Sequence, residues 1–158
     1  MFASIQEYIN DSLVLDLFSG SGSLGIEAIS MGAKKCYFVD NGREILNILR
    51  KNINNLNIEE KSTIINRDYR EALLYFKKNN IKFNIIIVDA PYKMEAMNEV
   101  IELVNKYNLL EDDGVLVLEY STDILKDNYS NLRLLKGKKY GDKYVNIYLK
   151  VTNKLLRY

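Results

Sequence analysis

A chain of 158 residues, 47% hydrophobic and 27% charged, can bury one sizeable core and is expected to form a single domain over 1–158. No apolar run approaches the roughly 18 residues of a membrane span. The start MFASIQEYIN has no signal-peptide pattern, and one cysteine, Cys36, excludes an internal disulfide, so a cytoplasmic protein is expected. With no histidine, the Ser-His and Cys-His nucleophile pairs and the commonest metal ligand are excluded, and no metal is expected. Chemistry must then run on carboxylates, amides, hydroxyls, backbone groups or a bound cofactor. The net charge of +1 conceals an asymmetry. Residues 126–158 hold nine basic side chains against Asp127 and Asp142, leaving +7 there and −6 over the rest. Such an end can meet a polyanion; the plainer alternative is lysines guarding an exposed edge strand.

In chain order, Phe2, Ile5 and Ile9 are spaced for a helix that begins at or before Met1 and lacks an N-cap, so an N-terminal truncation is expected. Leu13 to Phe18 reads as a first strand. It carries one acid, Asp16, and runs into a loop with Gly20, Gly22 and Gly25. Leu24, Ala28, Ile29 and Met31 predict the helix that follows, closed by Gly32. Cys36 to Asp40 is a buried strand ending in an acid. Ile45, Ile48, Leu49, Ile53 and Leu56 form an amphipathic stripe over 43–57. Thr63 to Ile65 is a short strand before Asp68, and Tyr69, Ala72, Leu73 and Phe76 mark one face of a helix ending near Asn79. Asn84 to Val88 is a continuous apolar strand ending in Asp89-Ala90-Pro91-Tyr92, with the only proline. Met94, Met97, Val100, Ile101 and Val104 line a helix face, Gly114 to Tyr120 is a fifth strand, and Leu132 to Tyr140 with Tyr144 to Val151 forms a hairpin across Gly141-Asp142.

Five β-then-α units followed by a hairpin predict an α/β fold with a mainly parallel sheet of seven strands and a C-terminal antiparallel hairpin. A ligand crevice is expected at the carboxyl ends of its strands. Asp16 with the glycine loop, Asp40, Asp68 and Asp89 to Tyr92 all fall at that rim.

Gly20-Ser-Gly22-Ser-Leu-Gly25 fits the GxGxxG dinucleotide pattern, with Asp40 at ribose distance. Three features argue against NAD: Asp16 just before the loop, no basic residue in the loop, and a sheet that ends in a hairpin. S-adenosylmethionine fits better. It offers a ribose diol to Asp40, an adenine amine to Asp68 and a cationic methionine end to Asp16.

Together the strings DLFSGSGSLGIEAISMGA, YFVDN, VDAPY and KKYGDKYVNIY resemble the RsmD family of bacterial 16S rRNA guanine-N2 methyltransferases, from Met1 to about Lys150. The resemblance implies a Rossmann-like class I methyltransferase sheet with S-adenosylmethionine as cofactor. It places Asp16, Phe18, Ser19, Gly20 and Gly22 around the methionine part, Asp40 at the ribose and Asp68 near the adenine, with Asn41 and Tyr69 also among the cofactor-binding residues. It also places the (D/N)PP(F/Y) motif on Asp89, Ala90, Pro91 and Tyr92. Alanine replaces the first proline there, keeping its carbonyl. The carboxylate of Asp89 and the carbonyl of Ala90 would accept the amine hydrogens, and Tyr92 would stack on the flipped base.

The implied partner is 16S rRNA or the small ribosomal subunit; a monomer is expected, and the charge of the hairpin predicts that Lys136, Lys138, Lys139 and Lys143 meet RNA phosphates. The resemblance also implies further basic residues ahead of Met1. Residue chemistry alone leaves open another amine substrate (a DNA adenine, a different RNA base or protein glutamine), a non-catalytic RNA-binding domain, and an NAD-dependent oxidoreductase.

Overall fold

The computed structural model describes Phe2 and residues 5–89, 94–121 and 125–151. Ala90, Pro91 and Tyr92 of the proposed catalytic motif lie outside the described residues, as does the side chain of Met94. The central strand is β1 (Leu13–Leu17), flanked in parallel by β2 (Lys35–Asp40) and β4 (Phe83–Asp89). Outside these lie β3 (Ser62–Asn66), parallel to β2, and β5 (Leu110–Tyr120), parallel to β4. Antiparallel β8 (Lys143–Lys150), β7 (Leu132–Tyr140) and β6 (Asn128–Tyr129) complete the order β3-β2-β1-β4-β5-β8-β7-β6. The mainly parallel sheet with a terminal hairpin is borne out, but with eight strands instead of seven. The extra strand, β6, has two residues, too few for side-chain alternation to reveal.

Strand order reverses between β1 and β4, where parallel α/β sheets open a crevice at their carboxyl ends. Helices α2 (Ser23–Ser30), α3 (Arg43–Asn55), α4 (Tyr69–Lys78) and α5 (Met94–Lys106) follow β1, β2, β3 and β4. The first helix, α1 (Gln6–Ile9), is a single turn, although Phe2, Ile5 and Ile9 are all buried as their spacing requires. Five βα units were expected; four are seen, and among the described residues no helix follows β5.

Two cores sandwich the sheet. On one face, Ile5, Ile9, Ala28, Ile29, Leu46, Leu49 and Ile53 pack over Val14, Phe38, Ile85, Ile87, Val117 and Val145. On the other, Ala72, Leu73, Phe76, Met97, Val100 and Ile101 cover Leu15, Leu17, Ile86, Val88, Leu118 and Tyr148. The stripe predicted for α3 is rotated. Leu46, Leu49 and Ile53 point inward, while Ile48 and Leu56 remain exposed, since only one arc of a 3.6-residue helix can face the sheet.

The β5 strand starts earlier than predicted. Leu110 pairs with Phe83 before an irregularity, and pairing resumes from Ile85 with Val115. Residues Glu111, Asp112 and Asp113 lie on the exposed stretch between, and Asp113 has φ 64°. A Cβ on Gly114 would sit 2.8 Å from the Glu111 carbonyl oxygen, and the EDDG stretch ahead of the predicted strand is a bulge within it.

Phe76 is fully buried with ring centroids at 4.9 Å from Phe83, 5.5 Å from Tyr37 and 5.7 Å from Tyr75, all edge-on. Phe76→Ala should destabilise the fold by about 3–5 kcal/mol in urea unfolding, through lost burial and the cavity left behind.

Candidate active site

The loop after β1 is built from backbone groups that find partners on neighbouring strands. Phe18 adopts φ 63°, a left-handed conformation that a non-glycine residue occupies at a cost. Ser19 then donates its N–H to the Val39 carbonyl at 2.9 Å, carrying the β1–β2 pairing past the end of β1. Gly20, with φ 56°, donates its N–H to Asp40 Oδ2 at 2.9 Å. The other Asp40 oxygen accepts from the N–H groups of Asn41 at 2.8 Å and Gly42 at 3.1 Å. Asp40 thus clamps the loop to the end of β2, and Asn52 closes its far side through Nδ2 on the Ser21 carbonyl at 3.0 Å.

The glycines divide by task. A Cβ on Gly20 would meet nothing within 4 Å, so this turn opens onto free space. A Cβ on Gly25 would run into Phe38 and the Cys36 sulfur, so here the missing side chain lets α2 press onto β2. Gly22, placed at the cofactor by the resemblance, has its Cβ direction filled by Leu49.

Asp16 is buried, and its Oδ2 accepts from the Gly25 N–H at 3.0 Å. Burial, against the pull of that hydrogen bond and with the added repulsion of Asp89 and Asp40, pushes its carboxyl up to about 7. Asp89 is also raised, by burial and then by Glu119, with Lys143 pulling the other way. Strand register explains the grouping. Asp16 pairs with Phe38 and Ile87, Asp40 and Asp89 lie two residues beyond these, and Asp89 pairs with Glu119, so all four carboxylates share one face of the sheet.

Asp68 belongs to a second group. It caps α4 by accepting from the Arg70 N–H at 3.2 Å, directly before Tyr69, whose ring lies 5.1 Å from that of Phe18 at 51°. Tyr69 donates to Glu99 at 2.5 Å, and burial followed by that bond pushes its hydroxyl up to about 12, so it stays a neutral donor. Arg70 Nε donates to the same Glu99 oxygen. The predicted site is thus a row of carboxylates and, across the end of β1, an aromatic wall.

One buried polar side-chain atom has no partner among the described residues. The Ser19 hydroxyl is buried and is the only such side-chain atom without a hydrogen bond among the described residues. A buried hydroxyl left unpaired, next to a turn that opens onto free space and a buried acid, suits a polar, partly cationic ligand.

The family model described as Conserved hypothetical protein 95 matches residues 1–149. The chain belongs to this family, the RsmD family of rRNA methyltransferases. The family member named Ribosomal RNA small subunit methyltransferase D from Haemophilus influenzae is 32% identical over 142 residues, 89% of this chain and 73% of its own length. A solved conserved hypothetical protein from Streptococcus pyogenes superposes with a TM-score of 0.87 at 31% identity, covering 94% of this chain and 92% of that one. An RNA methyltransferase from Salinibacter ruber, solved in complex with S-adenosyl-L-homocysteine, shares the fold at a TM-score of 0.72 and 12% identity, covering 96% of this chain and 89% of that one.

In this RsmD-family chain the sequence reading passed over Glu119 and Glu99. Glu119 had a signal: it is the acid at the end of a strand, in GVLVLEY, as Asp16, Asp40 and Asp89 are in theirs. Glu99 lies mid-helix and had none. Of the hairpin lysines, Lys138 lies over the Tyr140 ring at 4.9 Å and Lys139 over Tyr144 at 5.4 Å, while Lys143 pairs with Glu119 at 3.4 Å.

A carboxyl raised from 3.8 to about 7 on folding binds more protons folded than unfolded, so its contribution to stability falls as pH rises through that window. Asp16→Asn keeps an acceptor for Gly25 and should flatten this slope. It should exceed the parent in stability at pH 8 by about 1–3 kcal/mol in urea unfolding, with a smaller difference at pH 5.

Proposed function

We propose that the protein is an S-adenosylmethionine-dependent methyltransferase of the cytoplasm that methylates the exocyclic N2 amine of a guanine in small-subunit 16S rRNA, acting as a monomer and as a single domain. The unpaired Ser19 hydroxyl in the loop after β1 is the observation that carries the cofactor part of this reading. Family membership supports the RNA part. When bound, the cofactor supplies a methyl group activated by its sulfonium.

In this reading Ser19, the open backbone at Gly20 and the Asp16 carboxylate hold the amino-acid end. Gly22 supports the turn from beneath. Asp40 with Asn41 takes the ribose, and an Asp40 oxygen already bound to one N–H keeps a further lone pair for a hydroxyl. Asp68 and the Phe18–Tyr69 wall border the adenine. Asp16, ionised next to a positive ligand, gains an attraction that offsets its desolvation.

Methylation of an amine needs its nitrogen held in line and its hydrogens bound, which is chiefly positioning. Asp89, at the carboxyl end of β4, is assigned to accept those hydrogens together with the Ala90 carbonyl, and its raised carboxyl makes it a stronger proton acceptor than an exposed aspartate. Pro91 and Tyr92 complete the motif, with Tyr92 stacking on the base. Lys136, Lys138 and Lys139, on exposed β7 at the hairpin edge, are assigned to RNA phosphates.

Calorimetry and methyl-transfer assays on ribosomal subunits test these roles. Ser19→Ala and Asp40→Ala should each weaken S-adenosylmethionine binding about tenfold. Asp89→Ala should leave binding within about twofold and lower transfer at least a hundredfold. Equal loss of binding and transfer in Asp89→Ala would contradict its role. For RNA, replacing Lys136, Lys138 and Lys139 by Gln together should reduce the slope of log affinity against log salt by about 2. An unchanged slope would return these lysines to edge protection.

A further inference from the structure

The hairpin brings a cation onto the carboxylate row from β8, the strand beside β5. Lys143 is the first residue of β8, directly after the Gly141-Asp142 turn, where Gly141 has φ 60°. In-register pairing sets Val145 opposite Glu119, so Lys143, two residues away, lies on the same face as Glu119 and Asp89. The Tyr120–Tyr144 stack, with centroids 5.3 Å apart and 17° between planes, holds this end of the β5–β8 pairing. Lys143 Nζ lies 3.4 Å from Glu119 Oε1, with the Glu119 side chain only 16% exposed. Without that cation, two carboxylates would stand on neighbouring positions of adjacent strands, an arrangement that opposes ionisation of both.

We infer that Lys143 is a positioning residue for Asp89: it takes up the charge of Glu119, the acid paired with Asp89 across β4 and β5, and so keeps the Asp89 carboxylate ionised as an acceptor for the substrate amine. The inference rests on the reading of Asp89 as that acceptor. It removes Lys143 from the phosphate-binding set and turns the hairpin into part of the active-site wall. The charged groups acting on Asp89 and its neighbours are consistent with it. Glu119 raises Asp89 and Lys143 lowers it, Asp89 in turn acts on Asp16, and Lys143 is itself raised by Glu119, Asp89 and Asp142. A lysine serving phosphates alone has no need of a partly buried carboxylate partner.

The test compares the parent chain with Lys143→Gln, Lys143→Arg and the double variant Glu119→Gln/Lys143→Gln. Two readouts are taken across pH: the carboxyl carbon resonance of Asp89 in carbon-13-labelled protein, identified by its absence in Asp89→Asn, and the rate of methyl transfer from S-adenosylmethionine to ribosomal subunits. Lys143→Gln should move the Asp89 titration and the acidic limb of the rate profile to higher pH, lowering the rate on that limb about twofold relative to the plateau. Lys143→Arg should restore both, and the double variant should return both toward the parent, because the repelling acid goes with the cation. An Asp89 resonance that titrates alike in parent and Lys143→Gln overturns the inference, whatever the activity. So does an unmoved acidic limb with a salt-sensitive rise in KM for RNA, which would assign Lys143 to phosphate. A shifted resonance in a parent chain that transfers no methyl group supports the Lys143–Glu119–Asp89 coupling and sinks the functional reading instead.

Discussion

Burial of the Asp16 carboxylate in the middle of the sheet is the constraint around which the site is arranged. A charge removed from water must be offset locally, and here the protein offers it one backbone donor, the Gly25 N–H at the first turn of α2. That donor can approach only because Gly25 carries no side chain to strike Phe38 and Cys36. The close seating of α2 and the incomplete compensation of Asp16 therefore arise from one arrangement. The remaining offset is left for whatever binds above the loop.

The same loop is tied down on its other side by Asp40, whose carboxylate accepts three backbone N–H groups from two segments. Asp40 is therefore a structural clamp as well as a ligand candidate, and loss of its carboxylate would loosen the turn at Gly20 before any cofactor arrives. Stability and binding are coupled at this rim. Burial and mutual repulsion oppose ionisation of the acids at this rim, and a neighbouring positive charge such as Lys143 favours it. The aromatic wall of Phe18 and Tyr69 is independent of this electrostatic balance, since it packs on the opposite core.

Much of the fold was legible in the residues. Apolar runs at Leu13, Cys36, Asn84 and Gly114 located four parallel strands, and acids or glycines at their ends located the rim, because a buried parallel strand leaves few other places for a charge. Less was legible where local sequence and tertiary pairing disagree. The EDDG stretch ahead of Val115 lies in a bulge within β5, because Leu110 is buried and pairs with Phe83 while Glu111, Asp112 and Asp113 stay in water and need no desolvation. Ile48 and Leu56 belong to an apolar stripe by spacing yet remain exposed, because the sheet covers the arc centred on Leu49.

The alternation of strands and helices, the exclusion of histidine chemistry, the glycine loop with its preceding acid and the family resemblance are all carried by the residues in order. These depend on local spacing and residue type, which a linear chain displays in full. Folding is needed to show which acids share a face, that Asp68 caps α4, that the Ser19 hydroxyl is buried without a partner among the described residues, and that Lys143 meets Glu119. The grouping of the acids and the Lys143–Glu119 contact depend on register between strands distant in the chain, where a shift of a single residue would send a side chain to the opposite face; the places of Asp68 and Ser19 depend on the cap of α4 and the loop after β1.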